Sequence, residues 1–408
     1  MAIDYKALLA TRAGGGDPFI FPGPNTPIVF NFDQGLAAPE TFPIQDLMRL
    51  SDAMLNRDGS DVLDYFDPSV GYEELVFGSR RLRKALSERY QVVHGRNLPP
   101  EQFILTSGSV QAIALAMSAL LNEGDVVLVE AATFPYAMNY MRDAGAEIWS
   151  VPVDDDGMDT DFAEALLKKA KSEGKRVKLV YTISTFQMPT GTVLSLPRRE
   201  HLLMLAEKYD FIVLEDYVYG ELRYEGDPLP SLLSMDTAGR VIHDNSFSKT
   251  LAPGLRIGWM TGPQELINGL AAMRQDLGVS QWMARLAQEF LDAGLYDDHL
   301  ARANALYKEK RDATVRAVRE YCSDYLTFTV PKGSFYLWAE VNQSVDWVKA
   351  AELAAAEGIY FRPGERFDLA RDKRQFIRLA FARVSFEVIE AGVRKLGEIL
   401  KTCERQVA

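Results

Sequence analysis

At 408 residues, 47% hydrophobic and 25% charged, the chain has the composition of a globular protein with a large core, and its length suits about two to three domains. A formal net charge of -12 argues against a broad nucleic-acid surface, two cysteines against a disulfide framework, and four scattered histidines against a metal site. The first ten residues lack the basic start and apolar core of a secretory signal, and no run approaches the roughly 20 apolar residues of a membrane span, so a cytoplasmic protein is expected.

Residues 13–28, with Gly14 to Gly16 and Pro18, Pro22, Pro24 and Pro27, read as an irregular arm of the kind that often lies across a second subunit. A helix rich in Arg and Leu is predicted over 78–90. A regular alternation follows: strand 103–106, helix 109–121, strands 126–130 and 148–153, helix 161–172, strand 177–183, helix 198–208, and strands 211–215, 241–245 and 257–261. Short apolar strands alternating with helices predict an α/β fold with a doubly wound, mostly parallel sheet covered on both faces, whose ligands bind at the carboxyl ends of the strands. From 263 to 321 the pattern is helical and charged, and strands are predicted at 335–341 and 376–381. This predicts a second, smaller α+β domain that also recruits the N-terminal arm.

The densest chemistry lies in the run from Asp244 to Trp259. It places the amine of Lys249, the hydroxyls of Ser246 and Ser248 and the guanidinium of Arg256 in one short loop. An amine to form a Schiff base, with hydroxyls and an Arg for a phosphate dianion, suggests pyridoxal phosphate. A lone Lys is usually a solvated surface residue, and a Ser/Gly/Pro loop is often a plain turn. Here Val241 and Ile242 precede the loop and Ile257 to Met260 follow it, which places Lys249 between buried segments. Lost hydration then lowers its pKa, as Schiff-base chemistry requires.

Other clusters sit just after strand ends. Glu215-Asp216 follows four apolar residues, where the Asp216 carboxylate could keep a pyridine nitrogen protonated, and Tyr219 could donate to a phenolic oxygen; an acidic strand terminus with a packed Tyr is the plainer reading. Thr106-Ser-Gly-Ser109-Val110 opens a helix whose first N–H groups suit a phosphate, or is a simple Ser cap. Phe134 could stack on a pyridine ring, or be core. Arg378 alternates with apolar neighbours in Phe376 to Ala382, and either a substrate carboxylate or a structural ion pair would satisfy it.

The order Ser-Gly-Ser, Pro189-Thr-Gly191, Asp-x-x-Tyr, Ser-x-Ser-Lys with a downstream Arg, and Arg-Leu-x-Phe resembles the fold type I pyridoxal-phosphate enzymes. Within them it resembles the class I/II aminotransferases, in the branch with aminoadipate, aromatic and branched-chain aminotransferases, from about residue 32 to 396. The resemblance implies a large cofactor domain over 61–295, a small domain over 296–408, and residues 1–60 as the arm and part of the small domain. It implies that Lys249 forms the internal Schiff base and moves the proton, that Asp216 pairs with the ring nitrogen, that Tyr219 contacts the phenolic oxygen and that Phe134 stacks on the ring. Ser109, Val110, Ser246, Ser248 and Arg256 would hold the phosphate, with Tyr65 reaching it from a second subunit of a homodimer with shared active sites. Arg378 would clamp the substrate α-carboxylate and Gly35 would line that end.

One position departs from the pattern. The family usually reads Gln-Asn-Pro-Thr-Gly, whereas this chain has Met188, which has no hydrogen to donate to the phenolic oxygen. Tyr219 and Gln187 could compensate. Ala132, where Pro is common, and Gln34, where Gly is common, are milder departures. An aminotransferase moving an amino group from an α-amino acid to a 2-oxo acid is the leading reading. The alternative that Met188 suggests is a non-transaminating lyase, cyclase, decarboxylase or oxidase. A ligand-sensing regulator with an attached DNA-binding module is disfavoured by the acidic chain.

Overall fold

A computed structural model of the protein describes residues 8–9, 27–367 and 374–405. The expected arm therefore lies outside the described residues except at its end. Apart from a small antiparallel hairpin, Val153–Asp154 with Gly157–Met158, the strands in chain order are β1 (Phe30–Asn31), β2 (Phe103–Thr106), β3 (Val126–Glu130), β4 (Glu147–Val151), β5 (Val177–Thr182), β6 (Ile212–Asp216), β7 (Val241–Ser246), β8 (Gly258–Thr261), β9 (Leu326–Phe328), β10 (Tyr336–Val341), β11 (Ile359–Tyr360), β12 (Arg362–Pro363) and β13 (Gln375–Ala380).

Seven of these form one sheet in the order β2-β8-β7-β6-β5-β3-β4. Pairing is parallel except around β8, which runs antiparallel to both β2 and β7. Alternate residues divide between two cores. On one face Leu128, Val180, Val213 and Val241 pack with helices α1 (Ile44–Asp58), α2 (Arg80–His94), α5 (Thr160–Ser172) and α6 (Leu196–Tyr209). On the other, Val127, Leu179, Leu214 and Ile242 pack with α3 (Ser109–Leu120) and α4 (Pro135–Asp143). Helices on both faces bury the inner strands almost completely, which is why Val126–Glu130 and most of Val177–Thr182 read as apolar runs, whereas the edge strand Glu147–Val151 is mostly half-buried.

A second sheet, β9-β10-β13-β12, is antiparallel. It buries Leu337, Ala339, Ile377 and Leu379 against the C-terminal helix (Phe386–Thr402) and the end of the long helix Tyr296–Tyr321. Phe32, fully buried, joins this core from the other end of the chain, and β1 pairs with β11. The long helix spans both cores, with Ala303 and Tyr307 in the large one and Val315 and Val318 in the small one.

Departures from the predicted bounds have local causes. The helix expected over 78–90 is Arg80–His94: Gly78 sits at φ +83, outside helical space, and Gly95 caps the other end at φ +63. The strand expected over 148–153 stops at Val151, because Pro152 has no N–H for the ladder.

Candidate active site

At the carboxyl ends of β2, β5, β6 and β7 lies a cavity of about 520 Å³. Eleven of the twelve residues singled out from the sequence line it: Gly35, Ser109, Val110, Phe134, Asp216, Tyr219, Ser246, Ser248, Lys249, Arg256 and Arg378. Tyr65 does not, and is 67% exposed on its own chain.

Lys249 rides on a one-turn helix, Phe247–Thr250, capped by Ser246, whose side chain accepts from the N–H of Ser248. Its Nζ donates to the carbonyl of Gly35 at 2.8 Å and lies 5.7 Å from the centroid of the Tyr219 ring. Burial lowers its pKa, with the charges of Arg378 and Arg256 adding to the shift and Tyr336 and Asp216 opposing it.

Asp216 ends β6 with its carboxylate buried. It accepts from Tyr181 Oη at 2.8 Å and from the N–H of Val218 at 3.3 Å. Burial still raises its pKa to about 6. Directly across the sheet in register lies Asp244, also fully buried, a carboxyl that sequence reading passed over. Burial, then repulsion from Asp216, pushes Asp244 well above the carboxylate range. Its Oδ1 has no hydrogen-bond partner among the described residues, and its Oδ2 accepts from Ser109 Oγ. A hydroxyl has one hydrogen, so Ser109 faces the cavity with its lone pairs and backbone N–H.

Opposite, the start of α3 meets Arg256, Ser246 and Ser248. Arg256 adopts φ +53 and directs Nη1 to Ser248 Oγ at 3.4 Å and Nη2 to the carbonyl of Ser107. Gly108 keeps this end open, since an added Cβ would sit 2.6 Å from Arg256 Nη2. Helix-start N–H groups, two hydroxyls and a guanidinium suit a phosphate, while Asp216 suits a basic ring nitrogen and Lys249 an aldehyde. The arrangement fits pyridoxal phosphate.

At the third side Arg378 is 5% exposed. Its Nη2 donates to the carbonyl of Asp33, its Nη1 faces Met188 Sδ at 3.8 Å, and its Nε has no partner among the described residues. The guanidinium lies over the rings of Tyr336 and Phe367, at 4.3 and 5.0 Å. Tyr336 Oη in turn shares a hydrogen with Tyr219 Oη at 2.7 Å. Met188 does line the cavity, but Gln187 does not compensate for it. That side chain turns away, with Nε2 on the carbonyl of Ala132 at 2.6 Å and Oε1 accepting from Thr190.

Sequence reading also missed Asp33, Tyr136, Ile183, Tyr336, Arg362 and Phe367, which line the cavity. Arg362, set between Phe361 and Pro363, carries the signal that picked out Arg378: a charge inside an apolar strand. The others lack any local signal.

No helix among the described residues is long and apolar enough to cross a membrane, and no group of side chains there could hold a metal ion. The family model "Aminotransferase class I and II" matches residues 75–396. Aromatic-amino-acid aminotransferase 1 of Thermococcus litoralis is 36% identical over 375 residues, 91% of this chain and 88% of the relative. The multiple substrate aminotransferase of Thermococcus profundus superposes with a TM-score of 0.90 at 34% identity, covering 98% of this chain and 99% of that one. LysN, the α-aminoadipate aminotransferase of Thermus thermophilus, was solved with N-(5'-phosphopyridoxyl)-L-leucine; it gives 0.85 at 29% identity, covering 98% and 99%. These relatives favour transamination over the lyase or cyclase alternative that Met188 raised. With such a match across most of its length and the cavity just described, the chain belongs to the class I and II aminotransferases, pyridoxal-phosphate-dependent enzymes of fold type I.

Proposed function

We propose that the protein transfers the amino group of an α-amino acid to a 2-oxo acid at this cavity, with Lys249 as the amine that holds the cofactor. The observation that carries the reading is a single one: a Lys of lowered pKa and an incompletely satisfied Arg378 face the same cavity. When bound, pyridoxal phosphate supplies an aldehyde that captures amines and a ring that withdraws electrons from the α-carbon.

The chain's own residues do the rest. With the cofactor bound, Asp216 would hold a proton at the ring nitrogen, Tyr219, held by Tyr336, would serve the phenolic oxygen, and Phe134 would cover the ring. Ser246, Ser248, Arg256 and the backbone N–H groups of Ser109 and Val110 hold the phosphate. Arg378 would grip the substrate α-carboxylate beside Gly35, leaving the Lys249 amine to carry the proton that leaves the substrate α-carbon.

We further propose a homodimer in which Tyr65 reaches the phosphate of the other copy, supported by its exposure and that of Ile44, Met48, Leu63 and Tyr72 nearby in the chain. The division into 61–295 and 296–408, with 1–60 as the arm and part of the small domain, is supported by the separate cores and by Phe32, although Leu50 and Met54 put helix α1 with the large core. A cytoplasmic site of action goes with two unpaired, buried cysteines.

Mixing the loaded enzyme with a panel of amino acids, without any oxo acid, tests the reaction. One oxo acid released per site, with loss of the cofactor's near-visible band, is expected from a true substrate. Ammonia or carbon dioxide released over many turnovers with the band intact would overturn the reading.

A further inference from the structure

Arg362 and Arg378 stand directly opposite each other on β12 and β13, paired in antiparallel register. Like charges at such positions repel, and both side chains are buried, at 8% and 5% exposure. Asp33 lies between them. Arg362 chelates it with two bonds, Nε to Oδ1 and Nη2 to Oδ2, the latter at 2.7 Å. The same Oδ1 is 3.7 Å from Arg378 Nη2, just beyond hydrogen-bonding distance. Arg378 meets Asp33 through the backbone carbonyl instead. All three residues line the cavity.

A carboxylate held this close to a substrate-binding guanidinium is an intramolecular competitor. It is present at high effective concentration and has the chemistry of the group it would displace. A small rotation of Asp33 would put its oxygens on Arg378 and fill the seat.

We propose that Arg362 is a positioning residue that keeps the carboxylate seat of Arg378 open by holding Asp33 in a bidentate pair. The pair is neutral as a unit, so Arg378 retains its positive charge for the substrate. The inference rests on Arg378 being the α-carboxylate clamp.

The loaded enzyme tests it with two readouts: KM against kcat for a good amino-acid substrate, and inhibition by propionate, a carboxylate with no amino group to react. Arg362→Met should raise both the KM and the propionate inhibition constant by about tenfold or more, while kcat changes less than about threefold. Adding Asp33→Asn in the same chain should bring both constants back to within about threefold of wild type, because the competitor has lost its charge. A purely structural role for Arg362 predicts the reverse, with the double variant no better than the single. Arg362→Gln, made alongside, removes the charge but keeps a polar side chain, and should move both constants the same way if Arg362→Met does not fold.

Unchanged constants in the single variants, or no rescue by Asp33→Asn, overturn the proposal. Arg378→Ala separates the two readings. If it leaves both constants unaltered, the clamp itself is wrong and the role of Arg362 falls with it. If it raises both while the Arg362 variants do not, only the role of Arg362 is refuted.

Discussion

Lys249 and Gly35 meet through one hydrogen bond, Nζ to the carbonyl oxygen at 2.8 Å, although 214 residues separate them. Two residues before Gly35, the carbonyl of Asp33 accepts from Arg378. A single short loop therefore touches both the amine proposed to hold the cofactor and the guanidinium proposed to hold the substrate, fixing their spacing.

Lys249→Ala should abolish the borohydride-fixable link to the cofactor and lower turnover by at least about 10²- to 10⁴-fold, the usual worth of a positioned proton carrier. Mass spectrometry of the reduced protein checks the link. A cofactor still covalently attached at another residue would refute the assignment.

Arg378→Ala removes a charge-assisted, bidentate contact of about 2–3 kcal/mol, so KM should rise by about 30- to 150-fold. Cofactor content, read from the near-visible band, should hold. Global unfolding would instead favour a structural ion pair with Asp33.

Met188→Asn gives the phenolic oxygen a donor that the native side chain lacks. Hydrogen bonding to the charged form favours it, so the pH midpoint of the cofactor's near-visible band should fall by about half a unit to one unit. A spectrophotometric pH titration reads this directly, and an unmoved midpoint would mean that residue 188 does not reach that oxygen.

Gly35→Ala would drive a Cβ into the hydroxyl of Tyr336. The ring is buried on a strand and cannot swing clear, so the loop or Tyr336 must shift and the bond between Tyr336 and Tyr219 is strained or lost. Stability should drop by about 1–3 kcal/mol, and activity should fall further than stability explains. Denaturant melts beside steady-state kinetics separate the two.

Asp216→Asn should have opposite effects with and without cofactor. Burial raises the carboxyl from 3.8 to about 6, so in that window the folded, cofactor-free protein binds more protons than the unfolded chain and loses stability as pH rises. The variant should remove that loss, a gain of roughly 3 kcal/mol above the window and none below it. Cofactor affinity should weaken at the same time, since the charge facing the ring nitrogen is gone. Thermal melts across pH, with and without pyridoxal phosphate, check both signs.

The sheet strands were legible because both faces of the large sheet are covered, leaving short apolar runs such as Val126–Glu130 and Val177–Thr182 between polar turns. The residues at their carboxyl ends, Asp216, Ser109 and Lys249, were legible for a related reason: polar groups that follow a buried strand stand out. Strands of two or three residues, such as Arg362–Pro363, are too short to show alternation.

What the chain alone determined was the family pattern, the strand-helix order and eleven residues of one cavity. Only the tertiary structure decided how these residues are partnered. Asp33 gives its carboxylate to Arg362 and its backbone carbonyl to Arg378, Asp244 takes the hydrogen of Ser109, and Gln187 turns away from the site that Met188 enters. Each of these outcomes depends on which strands lie side by side. Residues 33 and 362, or 109 and 244, become neighbours only when the sheets assemble, and no local periodicity encodes that choice.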